Sequence, residues 1–450
     1  MQRLKWVFWA ALALPLALWL LAEPGVFAPS SLFAFRALMM QATGLLAIVA
    51  MSLGMGLALR PRWPERWLGG LDKMYRLHKW LGIAALVLGV SHWLWGKAPP
   101  WAVALGWLER GPRGGRPPPG SALETWLGAQ RGLAQSLGEY AFYAAVVLIA
   151  LALIQRFPYR LFVKTHRLLA VTYVIFVFHT VVLLRLRYWG MPVGWLLAPL
   201  LLLGTLAAAV VLLGRVAAGR RVQGRIVALE YYPGMRSLQI DIDVAQGWPG
   251  HAAGQFAFAM SDPAEGAHPY TIASAWNPRV PHITFIAKEL GDHTRRLRQK
   301  LRLGMKVMVE GPYGCFTFDD GCPQQIWVGA GIGITPFVAR LKHMSLQKHA
   351  PDWPAGQIIH LFHSTAESDD RALERLVAAA AAAEVRLHIL INARHGHLTG
   401  ARIRAEVPGW KQASLWFCGP AGFGEALRRD FAAQGFPVTE RFHQELFAMR

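Results

Sequence analysis

Two stretches decide the fold: His78-Lys79-Trp80-Leu81-Gly82-Ile83-Ala84-Ala85-Leu86-Val87-Leu88-Gly89-Val90-Ser91-His92, and His166-Arg167-Leu168-Leu169-Ala170-Val171-Thr172-Tyr173-Val174-Ile175-Phe176-Val177-Phe178-His179. Each is an apolar run with a histidine at either end, which reads as a membrane helix. The histidines are 14 positions apart in the first run and 13 in the second. Both spacings are close to whole numbers of turns, so each pair lies along one helix face, separated by about 20 Å along the axis. With the faces opposed, His78 meets His166 near one membrane surface and His92 meets His179 near the other. Neutral imidazole is a haem ligand, and polar side chains inside a membrane are costly enough to mark function. One such histidine is as readily a helix-end residue at headgroup level; two matched pairs point to two bis-imidazole sites, with His78, His92, His166 and His179 as the metal ligands.

Around these helices the 450-residue chain is made of two materials. It is 54% apolar with mean hydropathy +0.28, and the apolar excess lies before about residue 214. Six segments are long enough to span a bilayer: about 6–22, 32–59, 78–95, 136–155, 166–184 and 193–214. Arg3 and Lys5 ahead of the first resemble a signal peptide, but a second apolar segment follows within a dozen residues, so a retained helix is expected.

An even number of spans puts both termini on one side. Arg60, Arg62, Arg66, Lys73, Arg76 and Lys79 lie in one loop, Arg156, Arg160, Lys164 and Arg167 in another, and Arg215, Arg220 and Arg221 after the last span. The positive-inside rule makes these loops and both termini cytoplasmic. The loop 96–135 carries basic residues too, but its Gly- and Pro-rich centre reads as flexible surface. Arg36, Arg185 and Arg187 fall at the outer ends of spans, where arginine pairs an anionic group or snorkels to the interface.

The net charge of +20 comes without a basic helix or an aromatic-basic array. It therefore indicates membrane topology and phosphate-bearing ligands, with no nucleic-acid partner. Cys315, Cys322 and Cys418 have no zinc spacing and read as reduced thiols.

Past Arg221, short alternating runs separated by Gly and Pro suggest a small antiparallel barrel. Beyond Gly311-Pro312-Tyr313-Gly314 the pattern changes to strands alternating with helices. The strand Gln325-Ile326-Trp327-Val328 enters Gly329-Ala330-Gly331-Ile332-Gly333-Ile334-Thr335-Pro336 and then a helical run from Phe337. That order lets backbone amides approach a pyrophosphate at a helix N-terminus and implies a parallel-sheet nucleotide domain.

Taken together, the histidine spacings, His268-Pro269-Tyr270-Thr271, Gly291-Asp292-His293-Thr294, Gly311-Pro312-Tyr313-Gly314, the Gly329 to Pro336 loop and Cys418-Gly419-Pro420 resemble the transmembrane NADPH oxidase and ferric reductase superfamily over nearly the whole chain. The resemblance implies a multi-domain fold: a six-helix transmembrane bundle with two b-type haems (1–215), an antiparallel β-barrel FAD domain (219–320) and an α/β NAD(P) domain (322–450), the last two forming a ferredoxin-NADP reductase-like module. It also implies FAD, with Tyr270 stacked on the isoalloxazine, Thr271 near its reactive nitrogen, His268 beside the phosphates after Pro269, and Gly291, His293 and Thr294 opening a helix at the pyrophosphate. Gly311 and Pro312 would belong to the same site. NAD(P)H is assigned to Gly329, Gly331, Gly333, Thr335 and Pro336, with Cys418, Gly419 and Pro420 near the nicotinamide and Phe447 covering the flavin.

The expected activity is NAD(P)H-dependent transfer of electrons through FAD and both haems to an acceptor outside, either a ferric chelate or dioxygen. The alternative is an electron-delivery protein for a periplasmic redox partner. The expected location is a bacterial inner membrane, with the dehydrogenase module in the cytoplasm and no obligatory protein partner. No EF-hand loop, long N-terminal extension or proline-rich docking tail is evident, as expected of a compact bacterial member. Gly96, one turn past His92, offers no polar side chain for an oxygen site.

The second nucleotide strand ends at Ser364-Thr365-Ala366, without the immediate acid that suits NADH. Ser364 and Arg371, with Arg394 as a second cation, therefore suggest NADPH with NADH possible; Asp369 and Asp370 beside Arg371 weigh against it.

Overall fold

The computed structural model describes residues 2–109, 120–154, 156–263, 265–347 and 356–445. The chain divides into two compact units, one ending at Val216 and the other running from Ala217.

The first unit contains α1 (Gln2–Ala22), α2 (Leu32–Ala58), the short α3 (Arg62–Leu68), α4 (Leu71–Ala104), α5 (Ala122–Leu153), α6 (Tyr159–Leu183) and α7 (Pro192–Leu212). Among the described residues, all of these except α3 are long and apolar enough to cross a membrane, in agreement with the six segments read from hydropathy. Serines start two of them: Ser31 accepts from the Ala34 amide at the head of α2, and Ser121 from the Glu124 amide at the head of α5. Buried Trp19, Leu45, Tyr173, Tyr188 and Leu197 form part of the bundle core.

The helices run well past the apolar windows. The segment read as 78–95 is α4, 71–104, and that read as 136–155 is α5, 122–153. Hydropathy marks the part of a helix that sits in lipid, whereas backbone hydrogen bonding continues into polar flanks.

More surprising is that α4 contains Pro99 and Pro100, which a sequence rule treats as a stop. A helical proline lacks the N–H that would bond the carbonyl four residues earlier, here the carbonyls of Trp95 and Gly96. Arg36 of α2 supplies the missing donors: Nε donates to the Trp95 carbonyl at 2.8 Å and Nη2 to that of Gly96 at 3.1 Å. The arginine read as an anion partner or a snorkel therefore repairs the backbone of a neighbouring helix. Arg185 and Arg187 likewise pair with a group of the protein itself, both on buried Glu23, which also accepts from the Tyr188 hydroxyl.

The second unit starts with an antiparallel sheet of β1 (Arg221–Tyr232), β2 (Ser237–Val244), β3 (Phe256–Met260), β4 (His268–Thr271), β5 (His282–Lys288) and β6 (Lys306–Tyr313), in the order β4-β3-β6-β1-β2-β5. An Ile272–Phe285 bridge joins the chain just past β4 to β5, the opposite edge, which closes the barrel. Helix α8 (Asp292–Lys300) follows β5.

The parallel sheet comprises β7 (Gln324–Ala330), β8 (Ile358–Thr365), β9 (Arg386–Ile391), β10 (Ser414–Cys418) and β11 (Phe442–Gln444), in the order β11-β10-β7-β8-β9. The helices between and after its strands are α9 (Thr335–Gln347), α10 (Asp370–Ala382), α11 (Asn392–His395), α12 (Gly400–Glu406), α13 (Ala421–Ala433) and α14 (Val438–Arg441).

Candidate functional site

In the membrane unit the four histidines form two facing pairs between α4 and α6. The ring centroids of His78 and His166 are 5.8 Å apart, and those of His92 and His179 are 6.1 Å apart. Two imidazoles on one iron, each at a bond of about 2 Å, bring their centroids to about 6 Å.

Three of the rings are oriented by backbone. Nδ1 of His78 donates to the Gly54 carbonyl at 2.9 Å, that of His92 to Met40 at 2.9 Å, and that of His179 to Ala134 at 2.8 Å. A carbonyl oxygen can only accept, so Nδ1 carries the proton and Nε2 keeps its lone pair for a metal. His166 is placed by stacking on Phe162, with centroids 5.0 Å apart, and its Nδ1 is buried without a partner.

Helix α5 reaches the His92–His179 pair only because position 138 is glycine: a Cβ there would lie 2.0 Å from His179 Nδ1. Neither Gly138 nor the accepting carbonyls were legible in the sequence, because they depend on which helices are neighbours.

In the second unit a cleft of about 780 Å³ lies between the barrel and the parallel sheet. From the barrel it is lined by Pro269, Tyr270, Thr271 and Thr294, and from the nucleotide side by Gly331, Gly333, Thr335, Ser364, Gly419 and Pro420. All ten were singled out from sequence, and folding brings them together from five separate segments. Gly333 permits that convergence, since a Cβ there would sit 2.2 Å from the Cys418 carbonyl; only a bare backbone lets the turn approach the end of β10.

Other expected residues stand behind the surface. His268 and His293 stack with centroids 3.7 Å apart at 13°. His293 Nε2 is 3.1 Å from the Tyr270 hydroxyl and its Nδ1 is 3.1 Å from Glu265 Oε2, while Lys300 donates to Glu265 Oε1 at 3.0 Å. Lys300 first, then His293, hold the Glu265 carboxyl down at about 2, against the cost of burial. Burial and the neighbouring ring lower His268 to about 4.

Glu265, His268 and His293 come within metal-ligand range of one another. Nearly parallel imidazoles, however, cannot aim their in-plane lone pairs at one ion. The group acts as a brace for Tyr270.

Gly291 caps α8 and Pro336 is buried in the first turn of α9. At Gly311 a Cβ would lie 3.3 Å from Trp248, and at Gly329 3.0 Å from Ile334, so both positions are packed; Pro312 follows Gly311 in β6. Cys418 is fully buried, and burial, with the Glu445 charge, raises its thiol; it stands behind Gly419 as a neutral group. Arg371 is bonded to Glu230 of β1 and does not line the cleft. Phe447 lies outside the described residues.

Sequence reading missed Lys288, Leu290, Asn392, His397 and Phe423, which also line the cleft. Lys288 carried one signal, a cation closing an alternating strand just ahead of Gly291; the rest follow from loop geometry.

Residues 43–177 match the family described as "Ferric reductase like transmembrane component" and residues 222–317 match "FAD-binding domain". Among curated proteins, the "NADPH oxidoreductase" of Mycobacterium tuberculosis is 28% identical over 180 residues, 39% of this chain and 45% of that protein. "Ferric reduction oxidase 5" of Arabidopsis thaliana is 32% identical over 84 residues, 18% of this chain and 12% of that one. The chain spans about half or less of the length of the curated relatives it matches. The flavohemoglobin of Malassezia yamatoensis is 15% identical, covering 93% of this chain and 99% of that one, with a TM-score of 0.47, too low to bear on the argument. The two matched regions, the first within the six apolar helices and the second behind them in the same chain, give this multi-pass membrane protein the architecture of the transmembrane NADPH oxidase and ferric reductase superfamily.

Proposed function

We propose that the protein is an NAD(P)H-dependent transmembrane oxidoreductase, which moves electrons from a cytoplasmic nucleotide through FAD and two b-type haems to a ferric chelate or dioxygen on the outer face. The observation that carries this reading is the two facing histidine pairs, each at the separation one iron requires. His78 and His166 would hold the inner haem and His92 and His179 the outer one. Bound FAD supplies the conversion of a two-electron hydride into single electrons, and bound haem supplies one-electron carriage.

The chain's own residues position these groups. The carbonyls of Gly54, Met40 and Ala134 fix three imidazole tautomers, and the apolar helices exclude water. Tyr270, braced by His293 and Glu265, offers a ring to the flavin; the glycine turn before α9 and the start of α8 present amides to phosphates. No acid-base side chain is needed. The basic loops support a cytoplasmic second unit by the positive-inside rule, as in a bacterial inner membrane.

The deciding experiment is stopped-flow spectroscopy of purified protein with NADPH or NADH, followed by haem reoxidation with dioxygen, ferric citrate and a reduced-acceptor control in turn. Haem that neither nucleotide reduces would refute the reading. Haem that is reduced, yet is reoxidised by neither oxygen nor ferric chelate, would point to delivery to a periplasmic redox protein.

Two further results are expected. Gly138→Val should remove the same haem as replacing His179 would, because the added branches overlap its ring; reduced-minus-oxidised spectra check this. Tyr270→Ala should weaken FAD binding by roughly tenfold, and His293→Ala should do so partially by freeing the Tyr270 hydroxyl. Fluorescence titration with FAD measures both, and unchanged affinity in Tyr270→Ala would remove Tyr270 from the flavin site.

A further inference from the structure

A belt of polar contacts ties the barrel to α10 and the residues before it, along one side of the cleft. Arg371 and Arg375 of α10 bind Glu230 of β1, the latter at 2.6 Å. The Gly234 amide donates to Asp369 Oδ2 at 3.1 Å. At the end nearest β8, Arg236 donates to Glu367 Oε1 at 2.7 Å, and Lys288 Nζ lies 2.9 Å from Glu367 Oε2.

That last group differs from the rest in its place. Lys288 lines the cleft, as do Thr365 and Ala366 directly before Glu367. Among the described residues that line it, Lys288 is the one lysine or arginine, and a carboxylate of the protein already holds it.

The end of the strand after the glycine turn is where a dinucleotide's ribose is read. An acid there binds the 2′-hydroxyl and repels a 2′-phosphate, whereas a cation accommodates the phosphate. Here both kinds of group are present and neutralise each other. The main chain beneath them is pinned: Thr365 Oγ1 donates to the Glu367 carbonyl at 2.6 Å and Ser364 Oγ to Asn392 Oδ1 at 3.2 Å. The Glu367 side chain is 30% exposed, so it can swing toward solvent while its backbone stays in place.

We propose that Glu367 is an internal competitor for nucleotide phosphate: it occupies Lys288 and Arg236 in the free protein, and a nucleotide bearing a 2′-phosphate binds by displacing it. This rests on the nucleotide-oxidoreductase reading above and names the residue that sets its NADPH-to-NADH preference. Arg371, bonded to Glu230, has no part in that choice. Because the competing pairs are partly exposed and screened, removing the competitor is worth on the order of tenfold in affinity.

The test uses full-length, FAD-loaded protein in detergent, titrated calorimetrically with 2′,5′-ADP and with 5′-AMP, alongside KM and kcat for both nucleotides. In Glu367→Gln, 2′,5′-ADP should bind on the order of tenfold tighter with 5′-AMP unmoved, and KM for NADPH should fall at constant kcat. Tightening of both probes alike would overturn the proposal, because Glu367 would then not discriminate on the 2′-phosphate. Unchanged binding of both would overturn it. Glu230→Gln, which loosens the belt without freeing Lys288, should leave both probes unmoved; an equal gain there would overturn the proposal by making the effect one of domain loosening. A wild type whose flavin neither nucleotide reduces would fail the enzyme reading alone, while the 2′,5′-ADP titration would still decide the role of Glu367.

Discussion

Replacing His92 by leucine is expected, on the proposed two-haem reading, to remove one haem and to abolish electron delivery to the outer face, while leaving reduction of the flavin by nucleotide intact. The argument rests on geometry. His92 and His179 face each other at 6.1 Å, and the Nδ1 of each is committed to a backbone carbonyl on another helix, Met40 on α2 and Ala134 on α5. Each ring therefore presents one nitrogen, and a leucine of similar volume presents none. His179→Leu should give the same spectrum as His92→Leu, and His78→Leu the same as His166→Leu, because loss must go by pairs. The pyridine haemochrome content per flavin, with the low-spin bands in reduced-minus-oxidised spectra, measures it. Full retention of both haems in His92→Leu would sink the ligand assignment, and loss that crosses the pairs would sink the pairing.

Arg36→Met is expected to have the largest effect on stability of any substitution away from the histidines. It strips donors from the carbonyls of Trp95 and Gly96, which Pro99 and Pro100 leave without their helical partners. An unsatisfied backbone carbonyl shielded from water costs about 1–3 kcal/mol, and two are orphaned together. The expected result is a lower Tm in detergent, by several degrees, with the haem proposed at His92 and His179 lost first, since His92 lies one turn before Trp95 on the same helix.

The mechanism can be isolated by restoring the donors from the other side. In a Pro99→Ala, Pro100→Ala background the helix supplies its own N–H groups, so Arg36→Met there should cost much less. An undiminished cost in that background would mean that Arg36 acts on something other than these two carbonyls.

The sequence by itself determined what repeats or is local. Apolar runs of spanning length, alternation in the barrel strands and the strand-glycine-helix order depend on residues within a few positions of one another, and they gave the kind and order of the main elements, though not their bounds. Histidine spacings of 14 and 13 fixed which residues share a helix face, because the α-helix has a constant rise and period.

Only the tertiary structure decided how far the helices extend and what their side chains are used for. Whether Pro99 ends a helix depends on Arg36, some sixty residues away, and whether α5 can reach His179 depends on the missing side chain at Gly138. Arg371 looked available to a phosphate in a linear reading. Folding gives Arg371 to Glu230 and lays Glu367 across Lys288 and Arg236. Those outcomes turn on charge pairs between segments more than a hundred residues apart for Arg236 and Arg371, and about eighty for Lys288. A charge's partner is set by distance in space, which no local pattern encodes.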